Sequence, residues 1–482
     1  MNINRPTEFQ CGIGGWDDKP REACGVFGVY NNDGFDTARL VYIGLYALQH
    51  RGQESCGIAV TDENGMITGH KGLGLVSEVF NDRILDYLNG NIAIGHCRYS
   101  TYGGTSIENC QPLMANYKGG RMAIAHNGNL TNARKISRIL ENEGAIFQTS
   151  TDSEVIANLI SRYGVHTGNL EEILVKIMQQ LEGSYAVVMM TRKRLVGMRD
   201  PWGMRPLCIG KLDNSFILAS ESCALDAVGA QFVRDVEPGE IVFIQENEIS
   251  SIRGVTERKP RHFCIFEHIY FARPDSYIDG ASVYQARLEA GRRLAIEHPA
   301  DADLVVGVPD SGLTAAIGYS RQSGIPYGEA LIKNRYVGRT FIQPQQKMRE
   351  QSVDIKLNVL KVEVEGKRIV LIDDSIVRGT TTRKLVQMLK KAGAREVHMR
   401  ISSPPVKFPC YFGIDISSTS QLIAARKTIE EIRESLGADS LGFLSVEGLL
   451  KTPLGVTEPG FCTGCFTGEY PIDPAEDDVF CK

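Results

Sequence analysis

Arg368-Ile-Val-Leu-Ile-Asp-Asp-Ser-Ile-Val-Arg-Gly-Thr-Thr-Thr382 decides the fold of the second half of this chain. An apolar run, Ile369 to Ile372, breaks into two adjacent acids, Asp373 and Asp374, and then into a hydroxyl- and glycine-rich turn. Leu385, Met388 and Leu389 recur at helical spacing, Gly393 supplies a C-terminal stop, and a further apolar strand runs from Val397 to Ile401. The predicted order is strand, polar loop, helix, strand. Such a loop turns backbone N–H groups and a positive helix end toward a phosphate, and it places Asp373 and Asp374 where carboxylates meet ribose hydroxyls. The segment therefore predicts a site for a phosphorylated ribose. An ordinary crossover with two acids capping the helix is the plainer alternative, disfavoured by the completeness of the pattern. No GxxxxGK[ST] sequence occurs, which disfavours nucleoside-triphosphate hydrolysis.

Length and composition bound the rest. A chain of 482 residues forms two or three domains, each large enough to bury its own core. Hydrophobic content of 43% and charged content of 23% are those of a soluble globular protein. A formal net charge of -5 argues against a nucleic-acid surface and names no partner. No apolar run approaches the roughly 20 residues that cross a bilayer, and Met1 to Lys19 is polar and glycine-rich rather than signal-like. No membrane partner and a cytoplasmic location are expected. Twelve cysteines spread over this length do not make a disulfide framework; they read as reduced thiols, some reactive and some ligating.

In the first half, Glu22-Ala-Cys-Gly-Val-Phe-Gly-Val-Tyr30 is strand-like with Cys24 at its start. Taken alone, such a cysteine is a small buried hydrophobe. Gln49-His-Arg-Gly-Gln-Glu-Ser55, Gly95-His-Cys-Arg-Tyr-Ser-Thr101, Ala125-His-Asn-Gly-Asn129 and Ser150-Thr-Asp-Ser-Glu154 are short polar islands beside apolar runs, where sites are built. In this order the five blocks resemble the class II glutamine amidotransferases, which are N-terminal-nucleophile hydrolases, over about residues 24 to 240. The resemblance implies an αββα sandwich in which Cys24 attacks the glutamine carboxamide and its own α-amino group is the general base. It also implies that the Asn127 side chain and Gly128 N–H hold the oxyanion, Arg98 takes the glutamine carboxylate, Asp152 takes its ammonium, and Arg51 helps close the site. The plainer readings are a tight turn for Asn127-Gly128 and a solvated surface side chain for Arg51. Because such a nucleophile begins the mature chain, residues 1–23 are expected to be a propeptide cleaved between Ala23 and Cys24. An α-amino group, with a pKa of about 7.7 to 8.0, accepts a proton near neutrality whereas an amide nitrogen does not, so uncleaved chain is expected to lack glutaminase activity.

The stretch from Arg368 to Thr382 resembles the fingerprint of the type I phosphoribosyltransferases. Asp303-Leu-Val-Val-Gly-Val-Pro-Asp-Ser-Gly312 is a second buried strand ending in a turn; its N–H groups suit pyrophosphate and Ser311 suits Mg²⁺, with a plain β-turn as the alternative. Lys333-Asn-Arg-Tyr-Val-Gly-Arg-Thr-Phe341, followed by Lys347 and Arg349, resembles the lid of these enzymes, with Lys333 and Arg335 closing over pyrophosphate and excluding water. Asp373, Asp374, Ser375, Arg378, Gly379, Thr380 and Thr381 complete the implied phosphoribosylpyrophosphate site, and Asp373 and Asp374 join Ser311 around Mg²⁺.

The two halves in this order resemble the amidophosphoribosyltransferase family. The implied reaction is displacement of pyrophosphate from C1 of phosphoribosylpyrophosphate by ammonia from glutamine, giving 5-phosphoribosylamine in the first committed step of purine synthesis. Expected domains are a propeptide over 1–23, the glutaminase over 24–256, and a phosphoribosyltransferase parallel-sheet α/β domain over 257–482 with a cysteine-bearing C-terminal segment. Phe461-Cys-Thr-Gly-Cys465 is by itself a moderate sign of metal or redox chemistry. In the propeptide-bearing branch of the family a [4Fe-4S] cluster is held by four cysteines, and Cys264, Cys410, Cys462 and Cys465 occupy the matching positions. Thiolates suit zinc equally, so the cluster rests on the resemblance. A homotetramer inhibited by purine nucleotides is implied in the same way. A nucleotide-sensing protein that has lost catalysis is disfavoured by the joint presence of Cys24, Asn127, Asp152, Asp373 and Asp374. A phosphoribosyltransferase acting on a nitrogenous base would need a purine-stacking aromatic for which the sequence offers no candidate.

Overall fold

Alternation on β1 (Gly25–Tyr30) explains why all of its residues are buried. Phe27 and Val29 point into a core shared with Val41 and Leu45 of the helix Thr37–Ala47, while Val26 and Tyr30 point the other way against Val188 and Ala123. The strand is covered on both faces, and full burial of a side chain such as Phe27 contributes roughly 1.5–3 kcal/mol. The computed structural model describes residues 24–99, 106–246, 248–334, 357–416, 419–456 and 460–473. The expected propeptide, Arg335, Lys347, Arg349, Cys11 and Cys481 lie outside the described residues.

The strands that follow in the first half are β2 (Ser55–Thr61), β3 (Ile67–Leu73), β4 (Ile92–Arg98), β5 (Leu113–Tyr117), β6 (Gly120–Leu130), β7 (Gly183–Thr191), β8 (Leu195–Arg199), β9 (Cys208–Leu212), β10 (Ser215–Ala219), β11 (Gln231–Asp235), β12 (Glu240–Gln245) and β13 (Glu248–Arg253). They form a seven-stranded sheet, β11-β9-β10-β1-β4-β2-β3, and a six-stranded sheet, β13-β12-β8-β7-β6-β5. Apolar side chains of both inner faces make one core, with Ile92, Ile94 and Leu218 against Ala125, Met190 and Val242. Helices Ala133–Asn142, Ser153–Gly164 and Leu170–Met178 cover the outer face of the six-stranded sheet. The result is the αββα sandwich. The polar stretch after Gln245 supplies the edge strand β13, whose Ser250 and Ser251 are exposed as an edge allows.

In the second half, strands Leu304–Gly307, Arg368–Asp373, Glu396–Ile401 and Ser440–Phe443 pair in parallel in that order, with Val305 opposite Val370, Leu371 opposite Met399, and Met399 opposite Leu441. Helices Val283–Glu297 and Leu313–Ser323 pack on the face bearing Val305, Val370 and Ile372. Helices Thr380–Lys391 and Ile429–Leu436 pack on the face bearing Leu304, Ile369 and Leu371. Both faces are covered, as a parallel sheet requires. The loops leaving the first two of these strands run side by side, tied by Val308 N–H donating to the Ile372 carbonyl at 2.8 Å, which puts Ser311 and Asp373 at one edge of the sheet. Phe263–Cys264 pairs in parallel with Phe461–Cys462 and brings the two ends of this half together. Among the described residues, no helix is long and apolar enough to cross a membrane.

Candidate active sites

Antiparallel register assembles the first site. Gly25 stands opposite Cys97, so one residue further Cys24 at the start of β1 meets Arg98 at the end of β4. Cys24 is buried, and its Sγ donates to the Tyr99 carbonyl at 3.7 Å. Burial pushes the Cys24 thiol up; the Arg98 guanidinium opposes this, and the Asp152 charge reinforces it. Burial also pushes the Asp152 carboxyl up, but His126, the Leu130 N–H at 2.9 Å and Arg98 outweigh it and hold the group below the ordinary carboxylate range. Asp152 therefore stays an anion beside a cationic arginine, and the two suit opposite ends of an amino acid.

The β6 strand brings the next pair. His96 Nε2 meets the His126 carbonyl at 3.0 Å, so Asn127 and Gly128 follow at the level of the Arg98 strand end. Asn127 is fully buried, yet among the described residues neither its Nδ2 nor its Oδ1 has a hydrogen-bond partner. A buried carboxamide without partners costs about 1–3 kcal/mol, and a bound oxyanion would satisfy its donor end. Gly128 has φ +141°, and a Cβ there would lie 2.1 Å from the Ser184 carbonyl oxygen, so only glycine fits.

Arg51 is buried rather than solvated. Its Nε donates to the Cys24 carbonyl at 3.3 Å, its Nη1 to Glu221 at 2.5 Å, and both Nη atoms to Glu267 at 3.0 and 2.8 Å. Glu267 also accepts from Arg205 at 3.2 Å, and Glu221 from His50 at 2.7 Å. Arg51 thus underpins the backbone of Cys24 and joins it to Glu267 in the second half. Sequence reasoning gave Arg51 a site-closing role and missed Glu221, Glu267 and Arg205. Their only signal was charge inside apolar segments.

The second site is more local. Asp373 and Asp374 close the strand Arg368–Asp373 and are both buried. Asp374 N–H donates to Asp373 Oδ1 at 2.9 Å, and Ser375 Oγ donates to Asp374 Oδ2 at 2.6 Å. Gly379 precedes the helix Thr380–Lys391, which points its positive end at the same loop. Arg378 and Thr380 are exposed at the loop surface, with Arg378 bonded to Gln421. Lys333 pairs with Asp310, next to Ser311, which joins the expected pyrophosphate segments. Behind the acids is Arg287, missed from the sequence. Burial lowers its pKa to about 10, Asp374 is the largest charge opposing this, and its guanidinium donates to the His268 and Ala272 carbonyls at 3.0 and 2.7 Å.

Cys264, Cys410, Cys462 and Cys465 line one small cavity of about 20 Å³ together with Met204, Arg205 and Tyr470. Burial is the main cause pushing the Cys264 and Cys465 thiols well up and Cys462 up to about 12, and the mutual charges of the four sulfurs add to it. The thiolate forms of Cys264, Cys462 and Cys465 are thus unfavourable without a cationic group to share them. Among the described residues, no group of three or more His, Cys, Asp or Glu is arranged to hold a metal ion. Four thiols on one cavity are a donor set shared by thiophilic metal ions and iron–sulfur groups. Asp373 and Asp374 fit what Mg²⁺ takes, one or two carboxylates with water and phosphate completing its octahedron.

Fold and sites together define a glutamine amidotransferase joined to a phosphoribosyltransferase. The glutamine amidotransferase domain family matches residues 96–227 and the phosphoribosyl transferase domain family matches residues 281–402. An amidophosphoribosyltransferase of Archaeoglobus fulgidus is 51% identical over 459 residues, covering 95% of this chain and 100% of that one. One of Bacillus subtilis is 50% identical over 462 residues, covering 95% and 96%. A solved structure of glutamine phosphoribosylpyrophosphate amidotransferase from B. subtilis, complexed with ADP and GMP, superposes with a TM-score of 0.88 at 49% identity, covering 94% of this chain and 98% of that one. A structure described as the allosteric regulatory enzyme of purine biosynthesis gives 0.89 at 50% identity, covering 95% and 98%. The chain belongs to the amidophosphoribosyltransferase family. It is an enzyme, a transferase of purine biosynthesis with a glutamine amidotransferase half.

Proposed function

We propose that Cys24 is the nucleophile that releases ammonia from glutamine, and that Asp373 and Asp374 hold the phosphoribosylpyrophosphate that receives it. The observation that carries this is the meeting of Cys24, Arg98 and Asp152 beside the Asn127 carboxamide, which has no hydrogen-bond partner among the described residues. Arg98 binds the glutamine carboxylate and Asp152 its ammonium, which fixes the carboxamide carbon against Sγ. Attack gives a tetrahedral oxyanion held by Asn127 Nδ2 and Gly128 N–H, then a thioester with loss of ammonia, then hydrolysis to glutamate. The proton acceptor is the α-amino group of Cys24, which exists only once residues 1–23 are removed; while Ala23 is attached, that nitrogen is an amide. Arg51 holds the Cys24 carbonyl and so orients the nucleophile from behind.

At the second site, Asp373 and Asp374 take the ribose hydroxyls, and the N–H groups of Ser375 to Thr381 take the 5-phosphate at the helix end. Ser311 and Lys333 take the pyrophosphate, with Arg335 given the same role by the resemblance alone. Mg²⁺, held by Asp373, Asp374 and Ser311 with the substrate, supplies charge neutralisation of the leaving pyrophosphate. Ammonia passes between the domains rather than through solvent, where it would be protonated. We assign a [4Fe-4S] cluster to Cys264, Cys410, Cys462 and Cys465, supported by the shared cavity. The functional division is 1–23, 24–256 and 257–482. A homotetramer, a cytoplasmic location and inhibition by purine nucleotides complete the reading, the last supported by the ADP and GMP in the B. subtilis structure. The test is anaerobic release of glutamate and pyrophosphate with glutamine, phosphoribosylpyrophosphate and Mg²⁺ together and with each omitted. Near-equal release requiring both substrates is expected; binding without turnover by cleaved, cluster-replete protein would overturn the reading.

A further inference from the structure

Residues 410–413 belong to the second half, yet they press on the strand that carries Asn127 and Gly128. The Phe412 carbonyl accepts from Ser184 Oγ at 2.7 Å and from Arg205 Nη2 at 2.6 Å, and the Tyr411 carbonyl accepts from Asn129 Nδ2 at 2.8 Å. Three donors of the glutaminase half thus converge on two successive carbonyls. Gly413 has φ +96°, and a Cβ there would come within 2.8 Å of Arg205 Nη2 and 3.2 Å of the carbonyl carbon of Gly128. The backbone of Gly413 therefore lies directly against that of Gly128.

The other end of this short segment is fixed to the thiol cavity. Cys410 lines it, the Phe412 N–H donates to Cys410 Sγ at 3.4 Å, and the Tyr470 hydroxyl donates to the Pro409 carbonyl at 2.7 Å. Gly128 has no side chain to hold its peptide, and glycine has more backbone freedom to lose than any other residue. An N–H that stabilises an oxyanion must nevertheless be fixed before reaction, because its value lies in needing no reorganisation. On one side β7 fixes it, through the pairing of Gly128 with Tyr185. On the other side is Gly413.

We propose that Cys410–Gly413 is a positioning strut of the glutaminase, holding Gly128 in its donor geometry, and that occupation of the thiol cavity anchors the strut through Cys410. This rests on the assignment of Gly128 N–H as an oxyanion donor and of a thiolate-bound group at the four cysteines. It adds that a group in the second half sets the rate of a reaction in the first without touching its substrate.

The test is Gly413→Ala in the full-length, processed enzyme, with Ser184→Ala as the second variant should the first fail to fold. The glutamine-dependent kcat should fall about 10- to 100-fold, with KM for glutamine and ammonia-dependent synthesis each within about twofold of the parent. Iron and sulfide content, and the rate at which iodoacetamide alkylates Cys24, should be those of the parent. Unchanged kcat in the folded variants, or equal loss of both activities, would overturn the strut. Removing the cavity's metal from the parent should reproduce the selective loss and add nothing to Gly413→Ala; a metal-free parent with full kcat, or one that loses both activities alike, would overturn the anchoring role. Asn127→Ala runs beside these. If it keeps its kcat, the oxyanion assignment itself is wrong, whereas its loss alongside an unaffected Gly413→Ala removes only the strut.

Discussion

Arg51 reaches Glu221 and Glu267 across 170 and 216 residues of chain, whereas Asp373 to Thr381 form one uninterrupted stretch from a strand end to a helix start. The proposed glutamine centre is assembled by sheet register and an ion network between residues remote in sequence, and it is deeply buried. The proposed ribose centre is a strand, a turn and a helix end, with Arg378 and Thr380 at the surface. A site of the first kind is exacting and breaks when a distant partner moves; one of the second kind carries most of its geometry in local backbone.

The two centres should separate most completely in Cys24→Ala. Glutamine-dependent synthesis is expected to fall by at least ~10³-fold while ammonia-dependent synthesis persists, because only the first centre loses its nucleophile. Parallel loss of both activities would deny the division. Replacing Asp373 and Asp374 together by alanine should reduce synthesis from either nitrogen source by ~10²-fold or more, since both routes end at the same ribose. Steady-state assays with glutamine and with ammonium salts measure both effects. Asn127→Ala should lower the glutamine-dependent kcat by about 10²-fold and leave ammonia-dependent synthesis intact.

Smaller effects probe the join between the halves. Glu267→Gln leaves the buried Arg51 and Arg205 without their shared counter-charge, and should cost about 3–5 kcal/mol in urea unfolding. A loss below ~1 kcal/mol would mean the network is replaceable by packing. The smallest test uses pH. Burial lowers the pKa of His96 to about 3 and that of His268 to about 4, so from pH 6.5 downward the unfolded chain takes up protons that the folded one refuses. Each histidine therefore removes stability as pH falls, by up to about 1.4 kcal/mol per pH unit until its folded pKa is reached. Asp235, raised by burial and by Asp279, acts in the opposite sense, so the quantity to measure is the difference between the parent and His96→Asn. The variant should show a shallower fall in unfolding free energy between pH 6.5 and 5; equal slopes would place water beside His96.

Much of this was legible in the residues. The helix expected after the double acid forms over Thr380–Lys391, the strand after Gly393 forms over Glu396–Ile401, and the described parts of the four polar islands fall at or near strand and helix ends of a sandwich. Periodicity suffices there because each element buries one or two faces in a regular repeat. Glu221, Glu267, Arg205 and Arg287 could not be found this way. A charged residue inside an apolar run looks the same whether it is solvated or paired, and its partner is far away in sequence.

By itself the sequence determined the order of elements, the two acids and glycine-rich turn that follow the strand at Ile372, and the residue types proposed to do chemistry, because these follow from local spacing and residue type. Only the tertiary structure decided that Arg51 supports Cys24 from behind, that the four thiols share a cavity, and that Gly413 lies against Gly128. Those depend on which surfaces meet when the two halves pack. Close packing and buried charge pairing are set by three-dimensional fit, which the linear pattern does not encode at any one place.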